Sequence, residues 1–154
     1  MATPIKRHIA LQPISHDHHF GLLVCWKIRA GLSKGIELGR IKKFCNFFYE
    51  NHLTNHFMAE EKYVFPVLGI DDKLIQQAMK QHHLLRKLFE NKNADLQNLT
   101  CIEKQLEEHI RFEERELFYK IEAVASEAQL KEISNIKSED IKLIESWKDV
   151  FWIR

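Results

Sequence analysis

Two ten-residue stretches of this chain place a histidine and a glutamate four residues apart: HFMAEEKYVF, beginning at His56, and HIRFEERELF, beginning at His109. Both have the form H-x-x-x-E-E-x-x-x-F. On an α-helix, residues i and i+4 differ by roughly 40° in direction and about 6 Å in height, so an imidazole and a carboxylate at that spacing can serve one cation. The pairs are His56 with Glu60 and His109 with Glu113. Spacing alone is weak evidence: 9 histidines, with glutamate at roughly one position in ten, give about one such pair by chance. The weight of the two pairs therefore rests on which faces of which elements carry them.

Five glycines and three prolines punctuate the chain, and between them apolar residues recur at three and four positions rather than two. The expectation is an all-helical chain. A first helix spans about His16 to Leu32, with Leu22, Cys25, Trp26 and Arg29 in register with His18, and stops at GLSKG. A second runs from about Leu38 to Val64 along the stripe Ile41, Cys45, Phe48, His52, His56, Ala59 and Tyr63, ended by Pro66 and Gly69. Asp71 or Asp72 can cap a third, which reaches about Asn91 and has Ile75, Ala78, Met79, His82, Leu85 and Phe89 on one face. The fourth, from about Ala94 to Ala125, carries Leu99, Ile102, Leu106, His109, Glu113 and Leu117. Short connections after helices one and three favour antiparallel neighbours, so an up-down-up-down four-helix bundle over about 15–125 is the simplest packing. Ser126 with Gln129 forms a capping-box pattern opening a C-terminal helical stretch over about 126–154. The aromatic hook WKDVFW at its end is expected to pack on the bundle as a lid. The whole, 1–154, is the size of one domain.

A coarse internal repeat runs through these elements: a helix with a His-His pair (His18-His19, then His82-His83) followed by a helix with the H-x-x-x-E-E-x-x-x-F frame. Each of the four helices points a histidine inward, His18, His56, His82 and His109, and the frames add Glu60 and Glu113. A carboxylate on an apolar face is costly to bury without a partner. Six nitrogen and oxygen donors with no cysteine fit iron or manganese better than a structural zinc site. Glutamates from opposed helices can bridge two ions about 3.5–4 Å apart, which favours two metals over one. The E-x-x-H of ferritin-type bundles and the metalloprotease H-E-x-x-H do not occur.

The neighbouring residues have plainer expectations. His52 can be a displaced ligand or a partner of His56, and a small register error would bring in His16 or His19. Glu61 and Glu114 lie about 100° around the helix from Glu60 and Glu113 and are expected to be solvated or salt-bridged. Phe57, Tyr63, Phe112 and Trp26 are expected in the core.

Composition narrows the function classes. Lysine plus arginine number 23 against 22 acidic residues, with the signs interspersed, so nothing points to nucleic acid or anionic lipid. No apolar run of about 18 residues exists, and the N-terminus lacks the apolar core of a secretory signal, so a cytoplasmic location and no membrane are expected. Cys25, Cys45 and Cys101, odd in number and far apart, fit reduced thiols.

Together, SHDHHFGLL, NHFMAEEKYVFPVL, QHHLLRKL around His82 and HIRFEERELF resemble the hemerythrin-like (HHE cation-binding) proteins from about Ser15 to Phe118. The resemblance implies a four-helix bundle around a carboxylate-bridged non-heme di-iron centre with an oxo, hydroxo or water bridge. It assigns as ligands His18, His56, Glu60, His82, His109 and Glu113. Expected partners are dioxygen or another small diatomic or peroxide ligand, in oxygen binding or sensing, nitric oxide or peroxide handling, or iron delivery; manganese is a possible substitute. The five-histidine pattern of the oxygen carriers is not met, because Ala78 and Met79 stand where a histidine four before His82 or His83 would be.

Overall fold

The computed structural model describes residues 6–136 and 142–153. These are helical, with no strand among the described residues. The expected C-terminal helical stretch lies partly outside them, at 137–141.

Helix α1 is Gln12–Ser33, one turn longer at its start than the periodicity indicates. Pro13, in its first turn, has a fixed φ suited to a helix start and no N–H to leave unpaired. Gly35, at φ +68°, then takes the left-handed conformation that ends the helix at little cost. Next comes a continuous helical rod, α2, residues 38–67: α-helix over Leu38–Phe48 and Thr54–Ala59, π turns over Tyr49–Leu53 and Glu60–Val64, and a 3-10 turn over Phe65–Val67. Helix α3 is Lys73–Glu90, its N-terminus capped by the Asp72 carboxylate accepting from Leu74 N–H. A second rod, α4, spans residues 96–124. Asp95 caps it, and the π turn Glu113–Leu117 separates Leu96–Phe112 from Phe118–Val124. Short helices α5, Glu127–Ser134, and α6, Lys142–Glu145, follow. The capping box of Ser126 and Gln129 is present with both hydrogen bonds.

These elements pack as a helical bundle in which α1 and α4 make the most extensive contact. The core divides into two apolar clusters. One gathers Phe20, Val24, Phe44, Phe57, Leu85 and Leu106; the other gathers Ile14, Val64, Ala78, Phe112, Leu117 and Phe118. Along α1 and α3 the inward histidine falls between residues of one cluster and residues of the other; along α2 and α4 one more residue of the first cluster, Phe57 or Ile110, follows it before the second begins. The polar side chains thus form a layer between two dry compartments.

The π turns correct part of the expected pattern. Each adds a residue to a turn and so rotates the buried stripe. Hence Glu60 and Val64 are buried, whereas Ala59 is half-buried and Tyr63 is 36% exposed. Trp26 is also outside the core, 48% exposed, because it stands eight residues from His18 and about 80° around the helix. Met79 faces solvent beside buried Ala78. Phe57 and Phe112 are buried as expected, and Cys25, Cys45 and Cys101 are free thiols. The hook packs on α1 and α2, with Phe151 against Gly31 and Phe44, Trp147 against Phe47, and Lys27 Nζ 4.1 Å above the Trp152 ring. No helix among the described residues is long and apolar enough to cross a membrane.

Candidate metal centre

The six side chains singled out by sequence meet in the polar layer, each at most 4% exposed. They form two overlapping groups: His18, His56, Glu60 and Glu113, and Glu60, His82, His109 and Glu113. Within each group, one ligand atom per residue lies within 4.8 Å of all the others. The two glutamates belong to both. Glu60 Oε1 is 3.4 Å from His56 Nε2 and 3.2 Å from His82 Nε2, and its Oε2 is 3.5 Å from His18 Nε2. Glu113 Oε1 is 2.9 Å from His18 Nε2 and 3.2 Å from His109 Nε2, and its Oε2 is 3.8 Å from His82 Nε2.

These contacts are close but lack hydrogen-bond geometry. All four Nε2 atoms and all four carboxylate oxygens are buried without a hydrogen-bond partner. Eight such atoms in one place would be very costly if their only purpose were packing. Lone pairs that converge without pointing at one another are the arrangement expected of donors to a common cation.

The outward nitrogens are all engaged. His18 Nδ1 is 2.7 Å from Glu114 Oε2, His56 Nδ1 3.2 Å from Asp17 Oδ2, His82 Nδ1 2.6 Å from Glu61 Oε2, and His109 Nδ1 2.6 Å from Gln81 Oε1. Each partner atom is an acceptor, so each Nδ1 donates and each Nε2 is left facing the centre. Such bonds fix the tautomer and ring orientation of a metal-binding imidazole. The sequence expectation for Glu61 and Glu114 was incomplete. They are salt-bridged, to Arg86 at 2.9 Å and Arg7 at 3.5 Å, but they also hold His82 and His18.

The internal repeat governs the outer contacts as well. The second glutamate of each frame reaches the histidine of the other half: Glu61 to His82, Glu114 to His18. The frame's phenylalanine follows it, with Phe118 stacked on His18 at 5.3 Å and Phe65 at 5.2 Å from His82. A π turn opens at each inward glutamate and closes at that phenylalanine, through Phe65 N–H to Glu60 O and Phe118 N–H to Glu113 O. The residues before the inward histidines of α1 and α3, Asp17 and Gln81, hold the inward histidines of α2 and α4. The second glutamate and the phenylalanine repeated in both frames are the sequence signal of these outer contacts.

The halves differ in charge. Burial opposes a charged imidazole, yet the carboxylates of Glu113, Glu114 and Glu60 hold His18 well above its ordinary value. His56 is likewise raised against burial to about 9 by Glu60 and Asp17, and His82 to about 10 by Glu113, Glu60 and Glu61. For His109 burial outweighs the pull of Glu113 and the value falls; its outer partner is the neutral Gln81. Burial opposes ionisation of the glutamates too, but the histidines prevail, bringing Glu60 well below its ordinary range and Glu113 to about 2.

Of the other candidates, His16 and His19 are exposed. His52 is buried but belongs to neither group. The family comparison agrees with this geometry: the model of the hemerythrin HHE cation binding domain matches residues 14–121. The chain belongs to that family. No curated protein and no solved structure matches it.

The outer contacts can be tested separately from the donors. Glu114→Gln, keeping the shape but not the charge, is expected to lower metal affinity about 10- to 100-fold with helical content unchanged, measured by competition with a chromophoric chelator. Unchanged affinity would mean that Glu114 serves Arg7 and Ser15 only.

Proposed function

We propose that the polar layer of an up-down-up-down four-helix bundle holds two iron ions, and that the pair binds dioxygen or a related small oxidant. His18 and His56 would hold one ion, His82 and His109 the other, with Glu60 and Glu113 shared. The observation that carries this is the overlap of the two donor groups at both glutamates. Four imidazoles and two shared carboxylates match two divalent ions in donor number better than one. The all-nitrogen-and-oxygen set favours iron, with manganese the next best fit, over a thiolate-rich zinc site.

When bound, the metal pair supplies the electrons for reversible capture of the oxidant. The chain's own residues supply orientation and exclusion of water. Glu114, Asp17, Glu61 and Gln81 keep each imidazole's Nδ1 proton outside the centre. Phe118, Phe57 and Phe65 lie against His18 and His82 and restrict the approach of water and protons.

The test is optical. Protein loaded with ferrous iron under argon is expected to gain a visible charge-transfer absorption in air and lose it on return to argon. Absence of any change in air would refute the proposal, and irreversible oxidation would exclude reversible binding.

A further inference from the structure

His52 sits on the π turn Tyr49–Leu53, four residues before His56. It is 2% exposed, and its Nδ1 is buried without a hydrogen-bond partner. The ring is fixed by Phe48, stacked at 5.3 Å, by the edge contact with Phe20 at 5.5 Å, and by His56, parallel at 6.3 Å. An imidazole nitrogen that carries the ring N–H is a donor, and Nδ1 of His52 has no acceptor in the protein. An unpaired nitrogen in such a place is costly unless something transient pairs with it.

His52 lines a small enclosed cavity together with His18, His56 and His109. Two of these histidines come from one donor group and one from the other, so the cavity adjoins both. Its volume is about 10 Å³, room for one water-sized molecule. Its remaining wall includes Phe48, Gly21 and Asp17. A Cβ at Gly21 would lie 2.7 Å from Ile110 Cδ1, so α1 and α4 close the wall tightly there.

We propose that this cavity receives the outer atom of a small diatomic ligand, and that His52 positions that ligand by donating a hydrogen bond from Nδ1. This rests on the metal-centre function proposed above. The small volume and single donor suit dioxygen or nitric oxide, and the Asp17 carboxylate in the wall disfavours anions. His52 is then a positioning residue for the ligand and not a metal ligand.

The probe is nitric oxide, added under argon to the full chain loaded with ferrous iron. Iron per chain is measured first, and the same two-ion content is expected in wild type and in His52→Leu. Nitric oxide release into a scavenger, followed by stopped flow, is expected to be about tenfold faster in His52→Leu, with His52→Gln restoring most of the difference through its amide N–H. In the wild type, the N–O stretch of the bound ligand is expected to shift between H2O and D2O, a readout independent of how the variants fold. Equal release rates, or no isotope shift, would overturn the role of His52. Loss of iron from His52→Leu with helical content retained would overturn it too, by making His52 a ligand. A wild-type chain that takes up no iron would fail at the first measurement and would refute the metal centre itself.

Discussion

Glu113→Gln is expected to empty both metal positions rather than one. Glu113 contributes to both donor groups, facing His18 and His109 through one oxygen and His82 through the other. Taking one charged partner from a buried ionic cluster typically costs about 3–5 kcal/mol. Lost from the metal-bound state, that is roughly a thousandfold in affinity. His56→Ala, by contrast, removes a donor from one group only and is expected to leave the other ion in place. The metal-free fold should weaken as well in Glu113→Gln. Glu60 repels Glu113, but the histidines outweigh burial and that repulsion and hold Glu113 down to about 2, so its charge stabilises the metal-free fold and an amide gives that up. Metal analysis after desalting, beside melting curves of the metal-free proteins, checks both halves of the prediction. One ion retained by Glu113→Gln would show that the glutamate is not shared.

The second large effect is on stability. Eight buried donor atoms without hydrogen-bond partners make the metal-free bundle costly, and a cation satisfies them only in the folded state. Ligand at a thousand times its dissociation constant adds about 4 kcal/mol. For a chain of this size, 154 residues, that corresponds to a rise in melting temperature on the order of 10 °C.

The effect is expected to grow with pH. His18, His56 and His82 are raised in the folded metal-free state. Their stabilising contribution is complete below the ordinary histidine value of 6.5 and is lost as pH rises, through about 9 for His56 and about 10 for His82. Glu60 and Glu113 are depressed. Their contribution is present above the ordinary value of 4.5 and is lost as pH falls, through about 2 for Glu113. Between pH 6 and 8 the metal-free protein therefore weakens, while the cations have fewer protons to displace. The gap between loaded and metal-free melting temperatures should widen over that range. A gap that narrows would mean that protons and metal do not compete for these imidazoles.

Much of this was legible in the sequence because it depends on local chemistry. Asp72 and Ser126 mark helix starts by capping, and Gly35 and Gly69 mark turns by their positive φ. Helical faces alone placed His18, His56, Glu60, His82, His109 and Glu113 on one layer. What an ideal 3.6-residue period could not reveal was the π turns, which moved Ala59 and Tyr63 off the buried stripe. Contacts between helices were also out of reach. Glu61 looked solvent-facing from its own helix, and only α3, carrying His82 and Arg86, shows why it is held. Arg7 precedes α1 and had no pattern at all, yet it is buried against Glu114 and Glu122. His52 was a candidate ligand on spacing; the structure puts it outside both donor groups and beside the cavity.

The central claim is that one layer of six side chains holds a pair of ions. It is tested most directly by titrating the metal-free chain with ferrous iron under argon and counting iron per chain after desalting. Saturation at two irons per chain is expected from the two overlapping donor groups. Saturation at one, or no retained iron, would contradict the account.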